Sequence, residues 1–468
     1  MFSLRILNLT RWSLEALSFI IVPVRLAYQI RTKLESFSPA QLAVISFLLL
    51  ILSGTGLLLL PFSSSSSVSV IDALFTSTSA VCVTGLAVLD TGTDFTRFGQ
   101  LSILALIQLG GLGMMVWSGG VLFMLGGSLG LRERVLLSAQ VPRLELSQMK
   151  FLIRGTVGFT IVVEITGALL LWMLWTPRLG FFEAAYAAVF HSVSAFCNAG
   201  FSLWSDSLSA DVEHVGVNLV VAVLIILGGL GYLIVLELSQ RKRKRMSLHS
   251  RLALSVTGIL IVSGAILFYL LEYDNSGTLA ALSPAGRVIA SVFQSVTTRT
   301  AGFNTIDFGS CHPATQQVMM LFMFVGACPG STAGGLKVTT FAVLLVATWN
   351  YLQGKREMSI WERRLPSERV IQALALLGLM LFFVWIGTVI LSYREPFGLG
   401  PLLFEAVSAV ATVGLSTGIT AKLSLFSKLV VCLLMFAGRV GPLTLALALT
   451  SGGGRSRIRY VKEDIGLG

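Results

Sequence analysis

The chain has 468 residues, of which 54% are hydrophobic and only 12% are charged, and its formal net charge is +11. Soluble globular chains average about 25% charged residues, so this composition excludes a water-soluble fold and predicts an integral membrane protein. The excess of basic residues does not indicate nucleic-acid binding. These residues cluster in alternate links between apolar stretches, where membrane topology and contacts with lipid headgroups account for them.

Eight stretches are long enough to cross a bilayer, which takes about 20 mostly apolar residues. They cover residues 41–61, 100–125, 152–175, 215–238, 252–272, 316–349, 371–392 and 424–450. Residues 1–40 carry scattered arginines and a short apolar patch, which predicts a cytoplasmic or interfacial segment. The sequence therefore predicts an all-α polytopic membrane protein.

The charges of the links predict the orientation. Basic residues fill the links at 132–150, 241–245 and 355–369 and the tail at 451–468, whereas the alternate links carry mainly aspartate and glutamate. Cytoplasmic loops of membrane proteins carry an excess of Lys and Arg. We therefore expect a multi-pass protein of the cell membrane with both termini and the three basic links in the cytoplasm.

A four-fold internal repeat organises the chain. Each unit holds two apolar helices with a short semi-polar segment between them: FTSTSAVCVTGL from Phe75, FHSVSAFCNAGF from Phe190, FQSVTTRTAGF from Phe293 and FEAVSAVATVGL from Phe404. A further glycine cluster opens 24 to 28 residues after the glycine of each segment, at Gly110, Gly228, Gly326 and Gly438. We assign the repeats to residues 41–128, 151–240, 250–350 and 370–450.

The semi-polar segments predict an ion filter. They are too short to span a bilayer, so we expect each to enter as a half-helix and return as an extended strand that lines a cavity. Four such strands around one axis would form a central pore with pseudo-four-fold symmetry, whose main-chain carbonyls replace the hydration shell of a cation. The candidate ligands are Val83, Thr84 and Gly85; Asn198, Ala199 and Gly200; Thr300, Ala301 and Gly302; and Thr412, Val413 and Gly414. The alternative, that the glycines only allow close helix packing, fits the LGGLG clusters but not these segments.

The second helix of the third unit is interrupted by Cys328, Pro329, Gly330, Ser331, Thr332, Ala333, Gly334 and Gly335. Proline and glycine unwind a helix, so we expect a break at this point. A phosphate-binding loop would require Ser or Thr after the lysine, but Lys337 is followed by Val338.

These segments, together with CPGSTAGGLKVTT and FAGRVGPLTLALAL, resemble the Trk/Ktr/HKT superfamily of potassium transporters over about residues 40–450, and are most similar to the KtrB-type membrane subunit. The resemblance implies potassium uptake, with K⁺ bound at the filter residues and Gly85 marking potassium preference. It also implies a gating loop at residues 326–337, a homodimer, and a separate cytosolic ring-forming subunit that binds nucleotide. Sodium dependence, a Trk-type protein and a sodium-permeable transporter stay open. A membrane enzyme is the alternative of another class, but no constellation of acids, bases or metal ligands indicates one.

Two buried cations invite specific expectations. Arg439 lies near mid-membrane, where a charge is costly and usually functional. We expect it to hold the loop closed through the loop carbonyls, the alternative being a structural ion pair with Glu164. Arg299 is expected to point away from the ions and to brace a half-helix through Asp72, Glu183 or Glu405. His191 is expected to be a packing residue with a local hydrogen bond.

Overall fold

The computed structural model describes residues 39–112, 149–239, 246–355 and 357–441. In these ranges the helices are α1 (Pro39–Leu58), α2 (Val70–Val81), α3 (Arg97–Gly111), α4 (Met149–Leu179), α5 (Phe181–Cys197), α6 (Val215–Leu230), α7 (Tyr232–Ser239), α8 (Leu248–Glu272), α9 (Pro284–Thr297), α10 (Pro313–Phe324), α11 (Val338–Leu352), α12 (Ser367–Arg394), α13 (Leu399–Ala411) and α14 (Leu425–Val440). The predicted N-terminal segment up to residue 38, the basic run 241–245, the end of the first unit beyond residue 112 and residues 442–468 lie outside the described residues.

The helices form four similar triplets, α1–α3, α4–α6, α8–α10 and α12–α14. Within the described ranges, Arg154–Leu179 of α4, α8 and α12 are long and apolar enough to cross a membrane. The short middle helices α2, α5, α9 and α13, here called the half-helices, have 12 to 17 residues. At about 1.5 Å per residue they reach only about 18–26 Å, less than the hydrocarbon core of about 30 Å.

Large apolar side chains cover the outer faces of the long helices. Leu52 on α1 is 61% exposed, Ile259 on α8 64% and Trp385 on α12 66%. Soluble monomers rarely expose such contiguous apolar surface, so these faces suit a lipid environment.

Glycine and serine hold the half-helix close to the first helix in the first three triplets. A Cβ atom on Gly54 of α1 would lie 2.4 Å from Ser77 Oγ, so only glycine permits this approach. The Ser77 hydroxyl donates to the Ile51 carbonyl at 2.7 Å. The same contacts recur with Gly167, Ser192 and the Glu164 carbonyl in the second triplet, and with Gly264, Ser295 and the Ile261 carbonyl in the third.

The four triplets are arranged in a closed ring. Each third helix packs against the half-helix of the next triplet: α3 on α5, α6 on α9, α10 on α13, and α14 on α2. The last junction carries an ion pair between Lys428 Nζ and Asp72 Oδ1 at 2.7 Å, and the first carries one between Arg97 and Glu183. The half-helices therefore meet at the centre of the four triplets.

One element departs from the all-helical expectation. Strands β1 (Ser359–Ile360) and β2 (Arg363–Arg364) form a short antiparallel hairpin between α11 and α12. Its turn residues Trp361 and Glu362 have φ angles of 46° and 62°. A two-residue hairpin turn in which both residues are left-handed usually has the sequence Asn-Gly. The turn residues here are Trp-Glu, so the sequence does not predict this turn.

Candidate functional site

The four semi-polar segments share one backbone conformation. In each, a non-glycine residue with positive φ stands two positions before a glycine with positive φ. The pairs are Val83 (54°) and Gly85 (96°), Asn198 (61°) and Gly200 (70°), Thr300 (64°) and Gly302 (77°), and Thr412 (51°) and Gly414 (91°). A left-handed conformation is uncommon for residues other than glycine and is kept only where the surroundings enforce it. Because this conformation recurs in all four segments, the segments share one specific structure.

The four glycines form a closed ring, in the order in which they occur in the chain. A Cβ atom built on each would collide with the main chain of the next segment: from Gly85 to the Ala199 oxygen at 2.5 Å, from Gly200 to the Gly302 Cα at 2.7 Å, from Gly302 to the Val413 oxygen at 2.8 Å, and from Gly414 to the Thr84 oxygen at 2.0 Å. Main-chain carbonyls thus line the place where the four segments meet, and any side chain there would displace them.

A hydroxyl residue at the end of each half-helix fixes the return of the chain. The Thr84 N–H donates to the Ser79 carbonyl at 2.8 Å, and the same main-chain bond joins Ala199 to Ser194 at 2.8 Å, Ala301 to Thr297 at 3.0 Å and Val413 to Ser408 at 2.8 Å. The side chains divide the segments into two pairs. Ser79 and Ser408 Oγ accept from the glycine N–H groups, whereas the Ser194 and Thr297 hydroxyls donate to the Phe201 and Phe303 carbonyls.

These bonds locate the residue that the third segment lacks. The phenylalanine-to-hydroxyl spacing is the same in all four segments, and so is the spacing from the left-handed residue to the glycine. The deletion therefore lies between Thr297 and Thr300, in the turn that leaves the half-helix. The segment absorbs it there without changing the conformation next to the glycine.

The electrostatics of this site favour a cation. The half-helices end at Val81, Cys197, Thr297 and Ala411, one to three positions before the left-handed residues. A helix carries the equivalent of about half a negative charge at its C-terminus. Four such ends and the adjoining carbonyls therefore surround the glycines with partial negative charge.

The break in the third unit is a loop between Phe324, where α10 ends, and Val338, where α11 begins. It is pinned to itself at its base, where the Gly326 N–H donates to the Leu336 carbonyl at 2.9 Å. It is also attached to α6 of the second triplet, since the Cys328 N–H donates to the Gly229 carbonyl at 3.0 Å. We call residues 326–337 the loop.

The loop lies directly against the second and fourth segments. The Thr332 hydroxyl lies 3.1 Å from the Phe196 carbonyl and 3.3 Å from Asn198 Oδ1. A Cβ atom on Gly334 would lie 1.9 Å from Thr412 Oγ1. The loop thus lies against side chains of the second and fourth segments.

Arg439 of α14 also binds the loop. Its guanidinium donates to the carbonyls of Thr332 in the loop and Gly110 on α3. Glu164, the other partner considered, accepts instead from Gln108 Nε2 at 3.2 Å. Arg439 therefore ties the loop to the first and fourth triplets through main-chain oxygens.

The expected carboxylate partner of Arg299 is wrong. Its Nη2 atom donates to the Gly326 carbonyl at 2.9 Å. The three candidate carboxylates have other partners: Asp72 pairs with Lys428, Glu183 with Arg97, and Glu405 accepts from Ser416 and Thr420. Arg299 therefore braces the base of the loop rather than a half-helix.

His191 is a packing residue with local hydrogen bonds, as expected. Its ring nitrogens lie 2.8 Å from the Ala187 carbonyl and 3.0 Å from Ser202 Oγ, and the ring stacks on Trp204 at 4.3 Å. Gln294 and Glu405 occupy the equivalent position in later segments and also bond to the chain beyond the glycine.

Comparison with known proteins shows the family to which the chain belongs. The family model described as TrkH, cation transport protein, matches residues 15–452. The chain belongs to this family. Among its relatives, the Ktr system potassium uptake protein B of Bacillus subtilis is 41% identical over 92% of this chain and 96% of its own length. The potassium/sodium uptake protein NtpJ of Enterococcus hirae is 39% identical over 93% and 98%.

A solved structure of the cation transport protein family has the same fold. The crystal structure of the potassium transporter TrkH from Vibrio parahaemolyticus superposes with a TM-score of 0.68 at 19% identity, covering 87% of this chain and 84% of that one. The predicted superfamily is therefore confirmed, and so is the assignment to membrane transporters rather than enzymes.

Two features of the site were not predicted from the sequence. The hydroxyl residues Ser79, Ser194, Thr297 and Ser408 were visible as the fifth residue of each segment. Their role in fixing the return of the chain was not predicted, because only the glycines were used to align the four segments. The contact of Thr332 with Asn198 joins residues 134 positions apart, and no local pattern signals it.

Proposed function

We propose that this protein is a potassium uptake subunit of the cell membrane, with both termini in the cytoplasm. Potassium passes between the four segments, where carbonyl oxygens of the twelve predicted filter residues replace its hydration shell. The observation that carries this proposal is the closed ring of four glycines with recurrent left-handed backbone. No catalytic group is required for such transport.

The loop serves as the gate of this pathway. Residues Cys328 to Gly335 have small side chains and lie outside any helix, with Cys328 packed against Leu230, Ile234 and Ala253. We expect local opening of this loop to cost less free energy than opening of a helix. Arg439 holds the loop closed through the Thr332 carbonyl. Deleting Cys328 to Gly334 is therefore expected to increase ion flux.

Regulation comes from outside the chain. We propose a homodimer that binds a cytosolic, ring-forming subunit, and that this partner carries the regulatory nucleotide. The names of the Ktr system relatives support a multi-subunit system. Basic residues at the cytoplasmic ends of the helices are the expected contact surface for the partner and for lipid headgroups.

Sodium is the second candidate ion, either transported or coupled. The printed name of the Enterococcus hirae relative includes both potassium and sodium, which supports this alternative. The four glycines favour potassium, because the four segments keep the same conformation at every glycine.

Flux of K⁺ and Na⁺ into proteoliposomes, with and without the co-purified cytosolic partner, tests the function. We expect K⁺ flux to exceed Na⁺ flux and to depend on the partner. Equal flux of both ions would favour the sodium-permeable alternative. No flux of either ion in a folded, reconstituted dimer with its partner would overturn the proposal.

Cysteine labelling tests the orientation. All five native cysteines are buried and unpaired, so background labelling should be low. Cysteines introduced at Ser247 and Ser359 should react only from the cytoplasmic side, and one at Asp206 only from outside. The reverse pattern would overturn the orientation.

A further inference from the structure

A small cavity lies directly behind the second filter segment, at the junction of the second and third triplets. Ile225 and Leu230 of α6 and Ala327 of the loop form its apolar wall. Asn198 and Arg299 also line it. Its size leaves room for about one water molecule.

Three residues of the cavity lining, Asn198, Arg299 and Thr257, each have a buried polar side-chain atom without a hydrogen-bond partner among the described residues. Asn198 Nδ2 and Arg299 Nη1 are buried, and neither has a hydrogen-bond partner among the described residues. Asn198 is 1% exposed and Arg299 is 6% exposed, so bulk water does not reach them. Buried donors without partners are rare, because each forfeits the hydrogen bond that it made in water.

One other polar atom of the Asn198 side chain and one of the Arg299 side chain are already engaged with the loop. Asn198 Oδ1 lies 3.3 Å from the Thr332 hydroxyl, and Arg299 Nη2 donates to the Gly326 carbonyl at 2.9 Å. Thr332 and Gly326 both belong to the loop. An acceptor in the cavity would complete a chain of polar contacts that leaves the loop at one residue and returns to it at the other.

We propose that one ordered water molecule occupies this cavity and accepts hydrogen bonds from Asn198 Nδ2 and Arg299 Nη1. A water molecule has two acceptor positions, one for each donor, and it fits the available space. It braces the Asn198 side chain, and with it the left-handed backbone of the second filter segment, against the third triplet.

The charge distribution favours water over a small anion. Arg299 lies just beyond the C-terminus of α9, whose partial negative charge already compensates the guanidinium. A chloride or bromide ion is also larger than the space available, whereas a water molecule fits it.

Gly229→Ala removes the water and leaves both donors in place. A Cβ atom on Gly229 would lie 3.3 Å from the Ala327 Cβ and 3.8 Å from Asn198 Nδ2, so it enters the cavity with only a small adjustment. Gly258→Ala is the matched control, because a Cβ atom on this α8 glycine meets nothing within 4 Å.

The direct test is a structure of the wild-type protein at a resolution that shows ordered water, determined in chloride and again in bromide. We expect one peak within hydrogen-bond distance of both nitrogens, no anomalous bromide signal there, and no peak in Gly229→Ala. An anomalous bromide signal, or no peak in the wild type, would overturn the proposal. This test does not depend on transport, so it stands apart from the proposed function.

A flux measurement tests what the water does, and this part rests on the proposed filter and gate. Losing one bridging interaction should change the ratio of K⁺ to Na⁺ flux by about two- to tenfold in Gly229→Ala. Gly258→Ala should keep the wild-type ratio. A wild-type ratio in Gly229→Ala, with the water displaced, would show that the water does not brace the filter.

Discussion

The third triplet differs from the other three in what supports the end of its half-helix. In the others a glycine of the third helix lies directly against a half-helix carbonyl. A Cβ atom would lie 2.0 Å from the Val81 oxygen at Gly110, 1.9 Å from the Phe196 oxygen at Gly228 and 2.0 Å from the Val410 oxygen at Gly438. In the third triplet Gly326 faces the loop instead, 2.1 Å from the Gly334 oxygen by the same measure, and Arg299 bonds to its carbonyl.

We propose that this difference separates a fixed part of the structure from a part that can move. Glycines on α3, α6 and α14 support three half-helix ends through close backbone contacts. The fourth support is a loop of small residues held by hydrogen bonds, including the bond of the Thr332 hydroxyl to the Phe196 carbonyl. This loop is the proposed movable element.

The largest effect is expected where all four triplets agree. Gly85→Ser places a side chain on a residue with φ of 96°, in contact with the Ala199 oxygen. Gly302→Ser does the same in the third triplet, at φ of 77°. Both variants should lose at least about tenfold in K⁺ over Na⁺ flux, the ratio that about 1.4 kcal/mol produces.

Gly378→Ser is the control for both, since a Cβ atom there meets nothing within 4 Å. If only Gly85→Ser altered selectivity, the third segment would not be equivalent to the others. The deletion after Thr297 would then have functional consequences that its backbone conformation does not reveal.

The next effect concerns the movable support. Arg439→Ala removes two charge-assisted hydrogen bonds, to Thr332 and to Gly110. Such bonds contribute about 1.5–3 kcal/mol each, so flux should rise by about tenfold or more and depend less on the cytosolic partner. The measurement is K⁺ flux in proteoliposomes with and without that partner.

Arg154→Ala, at an exposed position of α4, is the matched control and should leave flux unchanged. A folded Arg439→Ala protein that conducts less than the wild type would contradict the gate. The loop would then be a fixed support, and the third triplet would resemble the other three in function.

A smaller effect tests the rigid frame. Asp72→Asn weakens the ion pair with Lys428 that joins the last triplet to the first. The Asp72 side chain is 18% exposed and the Lys428 side chain is 11% exposed. The free energy of unfolding should fall by about 1–3 kcal/mol. Glu183→Gln breaks the pair with Arg97, at 59% and 66% exposure, and should cost about 0–1 kcal/mol.

Chemical unfolding in detergent micelles, followed by tryptophan fluorescence, compares the two variants. Equal losses would mean that burial does not distinguish the two junctions. A larger loss for Glu183→Gln would contradict the assignment of the Lys428 junction as the tighter closure.

How much of the structure the sequence predicts depends on how far apart in the chain the interacting residues lie. The glycines and the helix break follow from local chemistry, because backbone conformation at Gly85 or Pro329 depends on the residue itself. The partner of Arg299 could not be predicted, because a main-chain carbonyl leaves no mark in the sequence and three carboxylates were equally plausible. The contact of Thr332 with Asn198 could not be predicted for a related reason, since it exists only after two triplets have packed.

That contact provides the smallest and most specific test of the comparison. Thr332→Val keeps the shape of the side chain and the carbonyl that Arg439 binds, but removes the hydroxyl that contacts the Phe196 carbonyl and Asn198 Oδ1. A hydrogen bond contributes about 0.5–1.5 kcal/mol net, so opening of the loop and K⁺ flux should increase by about two- to tenfold. Because Asn198 loses a partner, the preference for K⁺ over Na⁺ should also fall slightly. Thr388→Val is the matched control, since it removes a buried hydroxyl bonded to the Val384 carbonyl within α12 and should change neither quantity. Equal flux changes in the two variants would mean that the loop is not held through the filter, and that the third triplet moves independently of the segment it touches.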